Sequence, residues 1–477
     1  MHTTKLITIL KTFSKKDLRQ FKEYVNSPFF NKYEYAKKLQ EYIYQSAPSF
    51  KNKKIERTKV FKHLFPNKKY NEPLFNNIIS DLFTLLEDYL ALLDYDSDPV
   101  TRKIHLLSTL RKRNMDKNFI RTMNIVKNIQ ENNPYRDENF YLKEFIIESE
   151  ADRFFIRKEQ RTYNESLQKK ADNLDLFYLS TKLKNCCEMI NRKNVLAVNF
   201  NLDLLNEILL YLEEHPHKFK DVPAIIIYNT ILLTLMRPNE VIHFKNLKKL
   251  LEEHEDKFSI QEKQGMYQYA QNYCTKKINE GNPVYLEELF SLYKVLLTKE
   301  IIFEENHISQ GVYKNIVSVG IRLKQFEWTE KFINIYRERI ASEFRENAFT
   351  YNLAILYYSK HEYGKARKLF QNVEFTDVFY NLGAKSTLLK IYYELDELES
   401  FLSLTDSFKI YLRRNKLISD SQYKTNTNFI KFTKKLFALK PQGETARKQK
   451  IVILKQIIEQ TKDIANVNWL KEMIEKL

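Results

Sequence analysis

The residues best equipped for chemistry in this chain are few and poorly grouped. His215 and His217 flank Pro216 directly after Glu213 and Glu214. A metal site built on them needs a third ligand at a defined spacing, and none stands nearby, so the group reads as the polar end of a helix. Cys186 and Cys187 are adjacent, Cys274 stands alone, and no CxxC occurs. Leu183, Cys186, Cys187 and Ile190 recur at steps of three and four, which points to buried thiols on an apolar face. This cysteine usage suits a reducing compartment and not a disulfide framework. Glu213 with Glu214, and Glu252 with Glu253, are neighbours that point about 100° apart on a helix, so they do not flank a bond as an acid/base pair. No nucleophile elbow, phosphate loop or kinase signature is found. The chain is therefore read as non-enzymatic, with no catalytic residue, cofactor or metal assigned.

Glycine usage supports that exclusion. Only 7 of 477 residues are glycine, and the first is Gly265. Folds that grip phosphates or dinucleotides need glycine where backbone meets ligand. Charge is more suggestive. The net charge is +17, and residues 1–70 hold 17 Lys and Arg against 5 Asp and Glu, a local +12. Residues 71–100 hold 7 acids and no base, and residues 401–477 carry +9. A basic face can meet a polyanion, and a lysine-rich background composition gives the same excess. Lys15, Arg19, Lys22, Lys51, Lys53, Lys54, Arg57, Lys59, Lys62, Lys68 and Lys69 are the candidates for phosphate contacts. Tyr33, Tyr35 and Tyr44 lie near them in sequence. The apolar run near the N-terminus is too short for a signal peptide. The run Ala224–Met236 is broken by Tyr228, Asn229, Thr230 and Thr234 and falls short of a membrane span. A cytoplasmic protein is expected.

The elements that carry these residues read as helices throughout. Ser14 and Asp17 predict a capped helix start, with Leu18, Phe21 and Val25 facing a core and Ser27-Pro28 ending the helix. Further helices are predicted at about Glu34–Tyr44 and Ile55–Leu64. A long one is capped by Asn71 and striped by Leu74, Ile78, Leu82, Leu85, Tyr89 and Leu92. The acidic cluster Asp94, Asp96, Asp98 before Pro99 marks a boundary, which sets an N-terminal helical domain at 1–98. The pair of helices from Ile55 to Leu93 reads as simple packing and not as a DNA-reading unit, because its second helix is acidic and apolar. Beyond Thr101, helical patterns alternate with polar breaks such as Asn132-Asn133-Pro134 and Gly281-Asn282-Pro283, and no period-two strand appears.

One stretch is more specific. Leu353-Ala354-x-x-Tyr357 is followed by Tyr363 and Ala366-x-x-x-Phe370. Small residues at Ala354 and Ala366 let two helices approach, and Tyr357 and Phe370 fill the space around them. This resembles the tetratricopeptide repeat, with Thr350 where the family has Trp and no closing Pro. Met266-x-x-Tyr269-Ala270-x-x-Tyr273, Tyr313-x-x-Ile316-Val317-x-x-Gly320 and Leu388-Leu389-x-x-Tyr392 repeat the first half, while Phe401 and Thr405 replace the family's Ala and Phe. The resemblance covers residues 266–412. It implies an all-α chain, a right-handed α-solenoid of TPR-like helical hairpins behind the N-terminal helical domain. Residues 99–265 form an eroded repeat-like region, 266–440 the repeats, and 441–477 capping helices around Trp469, Leu470, Met473, Ile474 and Leu477.

The same resemblance implies a groove lined by first helices, in which Lys and Asn side chains hold a partner's peptide. Lys314 and Asn352 fall at such positions, Lys390 lies one turn along the next first helix, and Ser318 replaces a partner Asn. Two functions follow as expectations. The first is a protein-interaction scaffold or adaptor that binds a peptide or helix in the groove. The alternative is a nucleic-acid-associated regulatory protein that uses the basic N-terminal face. No small-molecule substrate is expected.

Overall fold

The computed structural model describes residues 1, 3–47, 49–50, 54–158, 163–195, 199–372, 378–441 and 444–477. Lys51, Lys53 and the Gln442-Gly443 pair lie outside them. Among the described residues there are 24 α-helices, two short 3-10 turns and no strand beyond an isolated bridge between Glu304 and His307. None of these helices is long and apolar enough to cross a membrane. The chain divides into two compact units, Met1–Cys186 with Leu202–Tyr228, and Cys187–Asn201 with Asn229–Leu477.

The first unit contains α1 Lys5–Leu10, α2 Lys15–Asn26, α3 Glu34–Tyr44, α4 Arg57–Leu64, α5 Glu72–Ser97, α6 Pro99–Lys112, α7 Asp116–Glu131 and α8 Glu138–Arg157. It also holds α10 Leu205–Glu214, α11 Pro216–Phe219 and the first parts of α9 Glu165–Val195 and α12 Pro223–Met236. Local chemistry sets several of these ends. Ser14 Oγ accepts from the Asp17 N–H and Asp17 accepts from the Ser14 N–H, a reciprocal cap that starts α2. Asn71 Oδ1 caps α5 through the Leu74 N–H. Asp98, at the predicted boundary, ends α5 and also caps α6, so the two helices are separated by one residue. The residues of α1–α5 share one buried core that includes Phe21, Phe50, Phe61 and Phe75. A separate cluster with Leu107, Phe119, Val126 and Ile147 holds α6, α7 and α8.

Helix α8 buries three acids, Glu148 and Asp152 on one side and Glu150 on the opposite side. Each is matched from a neighbouring helix. Lys127 Nζ lies 2.7 Å from Glu148, Arg111 Nε 2.7 Å from Glu150, and Lys170 Nζ 2.8 Å from Asp152. Such pairs cost desolvation, so their worth lies mainly in fixing which helices meet.

The second unit continues with α13 Val241–Glu253, α14 Ile260–Asn279, α15 Val284–Thr298, α16 Gln310–Arg322, α17 Phe326–Ile335, α18 Ser342–Ser359, α19 Tyr363–Asn372, α20 Val378–Glu394, α21 Leu398–Arg414, α22 Asp420–Phe437, α23 Glu444–Gln460 and α24 Val467–Glu475. Its packing is repetitive. Helix α16 packs on α17 and on α18, α18 on α19 and α20, α20 on α21 and α22, and α22 on α24. Each hairpin's first helix thus also touches the first helix of the next. Small residues permit the approach. Ala354 and Ala366 are fully buried between α18 and α19, as the spacing predicted, and Phe370 is buried beside them. Gly320 of α16 faces Thr329 of α17 so closely that no side chain fits between. Of the five residues expected on the inner side of the last helix, Trp469, Leu470, Met473 and Ile474 are buried and Leu477 is half-buried.

Candidate functional site

All three cysteines are buried thiols outside any disulfide, and burial pushes the Cys274 thiol up to about 12. His215 Nδ1 lies 3.0 Å from the Tyr211 carbonyl oxygen, at the turn between α10 and α11. Among the described residues no cluster of three metal-ligating side chains occurs.

Lys314, Asn352 and Lys390 lie on α16, α18 and α20, three successive first helices, but their side chains have different surroundings. Lys314 is exposed, with its ammonium 5.6 Å from the Tyr351 ring centre. Asn352 is 1% exposed and its Nδ2 donates to the Ala348 carbonyl 2.7 Å away, so it is not available to a ligand in this arrangement. Lys390 leans toward α24, over the rings of Tyr358 and Trp469 at 5.8 and 5.9 Å. Burial pushes its ammonium down to about 8, with Glu394 and Glu472 opposing the shift. Glu394, one turn on, accepts from Tyr358 Oη at 2.9 Å, from Trp469 Nε1 at 2.9 Å and from Tyr363 Oη. This carboxylate therefore joins α18, α19, α20 and α24 and serves as an internal clasp.

The basic N-terminal residues divide in the same way. Arg19, Lys22 and Lys59 are engaged by Glu23, Glu41 and Glu56. Lys15, Lys54, Lys62, Lys68 and Lys69 are exposed. They are distributed over α2, the approach to α4, α4 itself and the turn after it.

An open cavity of about 460 Å³ lies against α14, a first helix of the second unit. Asn272, Lys276 and Asn279 line it at steps of four and three, so they share one face of the helix. Asn191, Thr234, Leu235 and Pro238 form its other walls. The floor is rigid, because Tyr273 Oη donates to the Pro238 carbonyl at 2.9 Å and its ring stacks on Phe244 with centres 4.7 Å apart. Asn272 is held on both sides, accepting from Gln268 Nε2 at 2.8 Å and donating to Asn191 Oδ1 at 3.0 Å. Glu280 at the rim accepts from the buried Lys277 ammonium at 3.0 Å, and Asn239 accepts from the same ammonium. On this lining the Asn279 carboxamide and the exposed Lys276 ammonium are not engaged by a hydrogen bond or ion pair among the described residues. A carboxamide that offers a donor and an acceptor together matches a peptide backbone, and an adjacent ammonium matches a carboxylate. Tyr269 and Tyr273, which carry the repeat spacing, are buried. The signal that marks the open face is the pair of asparagines seven residues apart.

A second cavity of about 700 Å³ is lined mostly by apolar groups, among them Leu398, Phe401, Leu402 and Phe437. One of its lysines, Lys440, is already held by Asp396 and by the Tyr393 carbonyl. Comparison of the chain with known protein families, with curated proteins and with solved structures gave no match.

Proposed function

We propose that this chain is a non-enzymatic interaction scaffold, built from TPR-like helical hairpins, that holds an extended segment of a partner protein against its first helices. The observation that carries the reading is the α14 cavity. It is open, it has a fixed floor, and it presents an unspent carboxamide and an unspent ammonium side by side on a first helix. Its volume is in the range that accommodates a few residues of peptide or a comparable ligand. The contacts of α16 with α18, α18 with α20 and α20 with α22 support the same reading, since stacked hairpins offer their first helices to a partner. Asn279 reads the backbone of the bound segment. Lys276 meets an acidic side chain or a terminal carboxylate. Lys314, exposed on α16, adds a further cation on the following first helix.

The test is selection of random displayed peptides of about 12 residues on the immobilised whole chain. Enriched peptides should carry Asp or Glu beside apolar residues. Asn279→Ala should weaken them by about 1 kcal/mol, roughly fivefold, as expected for loss of one hydrogen-bonding side chain. Lys276→Glu should weaken them further at low salt. Peptides that bind both variants as tightly as the parent would remove the α14 cavity from the proposal.

A further inference from the structure

The first unit carries a second surface, and its composition differs from the α14 cavity. Helix α2 ends at Asn26, and the loop that follows turns its rings outward. Phe29 is 82% exposed and Tyr33 58%, and Phe30 and Tyr35 are exposed beside them. Leaving such rings in water is unfavourable, yet the loop that presents them is firmly held. The Ser27 carbonyl accepts from the N–H groups of both Phe30 and Asn31. Asn31 is buried, and it donates through Nδ2 to the Val25 carbonyl at 2.8 Å and accepts the Tyr33 N–H at 2.7 Å. Phe30 stacks on Tyr24 with centres 4.4 Å apart, which fixes the ring that Phe29 abuts. Tyr35, in the first turn of α3, packs 4.5 Å from Phe65 at the end of α4. That contact brings a second turn alongside, with Lys38 over Tyr35 at 5.5 Å and Lys68 over Phe65 at 5.0 Å.

Charge selects the occupant. Residues 27–40 and 65–70 together hold five lysines and one glutamate. Among the described residues none of these lysines is in an ion pair, whereas Arg19, Lys22 and Lys59 elsewhere in the unit are. Exposed rings interleaved with lysines that no acid engages suit a polyanion that also offers flat apolar faces. We propose that the surface of Phe29, Phe30, Tyr33, Tyr35, Lys38 and Lys68 binds single-stranded nucleic acid, with bases stacked on the rings and phosphates on the lysines. Duplex fits less well, because its bases are already stacked on one another and its outer surface offers the rings no face. This site is independent of the α14 cavity, and neither proposal rests on the other.

The experiment is fluorescence anisotropy with the whole chain and a labelled oligo-dT or oligo-U of about 20 nucleotides, against a duplex of equal length. It is run at about 50 and about 150 mM salt. Both single strands should bind more tightly than duplex. The double variant F29A/Y33A, whose rings lie outside the core, should keep the thermal midpoint of the parent. It should weaken binding about tenfold or more with an unchanged salt slope. K38E/K68E should weaken binding and flatten the slope. Absence of single-strand binding at the lower salt overturns the proposal and leaves the rings to a protein partner. Binding to duplex as tight as to single strands, or binding untouched by F29A/Y33A, overturns it as well, since charge alone would then account for the affinity.

Discussion

Replacing Gly320 by alanine tests the helix packing of the second unit at its tightest point. The added Cβ would lie 2.3 Å from Thr329 Oγ1 and 3.4 Å from Thr329 Cβ. Thr329 has little room to yield. It is 0% exposed, and its hydroxyl donates to the Gln325 carbonyl at 2.7 Å. Its β-branched side chain has few rotamers open to it in a helix. Relief therefore requires either breaking that hydrogen bond or separating α16 from α17. Overpacking of this kind costs about 1–3 kcal/mol. The substitution also gains roughly 0.5–1 kcal/mol of helix propensity, because glycine is a poor helix residue. The net expectation is a loss of about 1–2 kcal/mol. Gly311 on the same helix has open space around its Cβ position, so Gly311→Ala receives the propensity gain without the clash. The assay is urea unfolding followed by far-ultraviolet circular dichroism on the parent, G320A, G311A, T329A and G320A/T329A. G320A should unfold at lower urea and G311A at equal or higher urea. The double variant should recover part of the G320A loss, a coupling of about 1 kcal/mol or more. If G320A were as stable as G311A, or if the two sites were additive, the close approach of α16 and α17 would be wrong.

Two further substitutions probe buried charge. Arg111→Met removes the main partner of buried Glu150 and leaves it only the exposed Arg153, so the first unit should lose about 3 kcal/mol in urea unfolding. R111M/E150L should restore most of that, and a single-variant loss below about 0.5 kcal/mol would mean the pair is not buried as described. Lys390→Met tests the second unit through pH. The ammonium titrates near 8 in the folded chain and at about 10.4 when unfolded, so unfolding takes up a proton between those values. The lysine's contribution to stability therefore rises with pH through that window. The midpoint advantage of K390M over the parent should be largest near neutral pH and shrink toward pH of about 10. A difference independent of pH would place Lys390 in solvent.

What was readable in the sequence was local. The Ser14–Asp17 cap, the Asn71 cap, the limits of α3 and the buried face of α24 all follow from side chains acting on their own turn or from helical spacing. Ala354 and Ala366 were readable because only a small residue allows two backbones to meet there. The rest depends on partners distant in the chain. Glu148, Glu150 and Asp152 resemble ordinary solvated acids until α6, α7 and α9 deliver their bases. The acids before Pro99 mark a boundary in the sequence, but only the structure shows Asp98 using its carboxylate to start the next helix. The repeat resemblance implies a groove role for Asn352, but its carboxamide is turned into its own helix. The α14 cavity was hidden because Asn191 and Pro238, which wall it, arrive from the ends of other helices. The exposure of Phe29 and Phe30 is not legible in the sequence, because it depends on how the buried Asn31 holds the loop after α2.

The central proposal, that a partner segment lies in the α14 cavity, is tested most directly by photocrosslinking. A benzophenone amino acid is placed at Asn279, and separately at Leu417, which is 80% exposed and outside the cavity lining. Each chain is irradiated with the labelled acidic peptide recovered by selection. The expected result is a covalent adduct from position 279 that excess unlabelled peptide suppresses, and none above background from position 417. Equal labelling at both positions, or none at 279 under conditions where the peptide is bound, would contradict the proposed site.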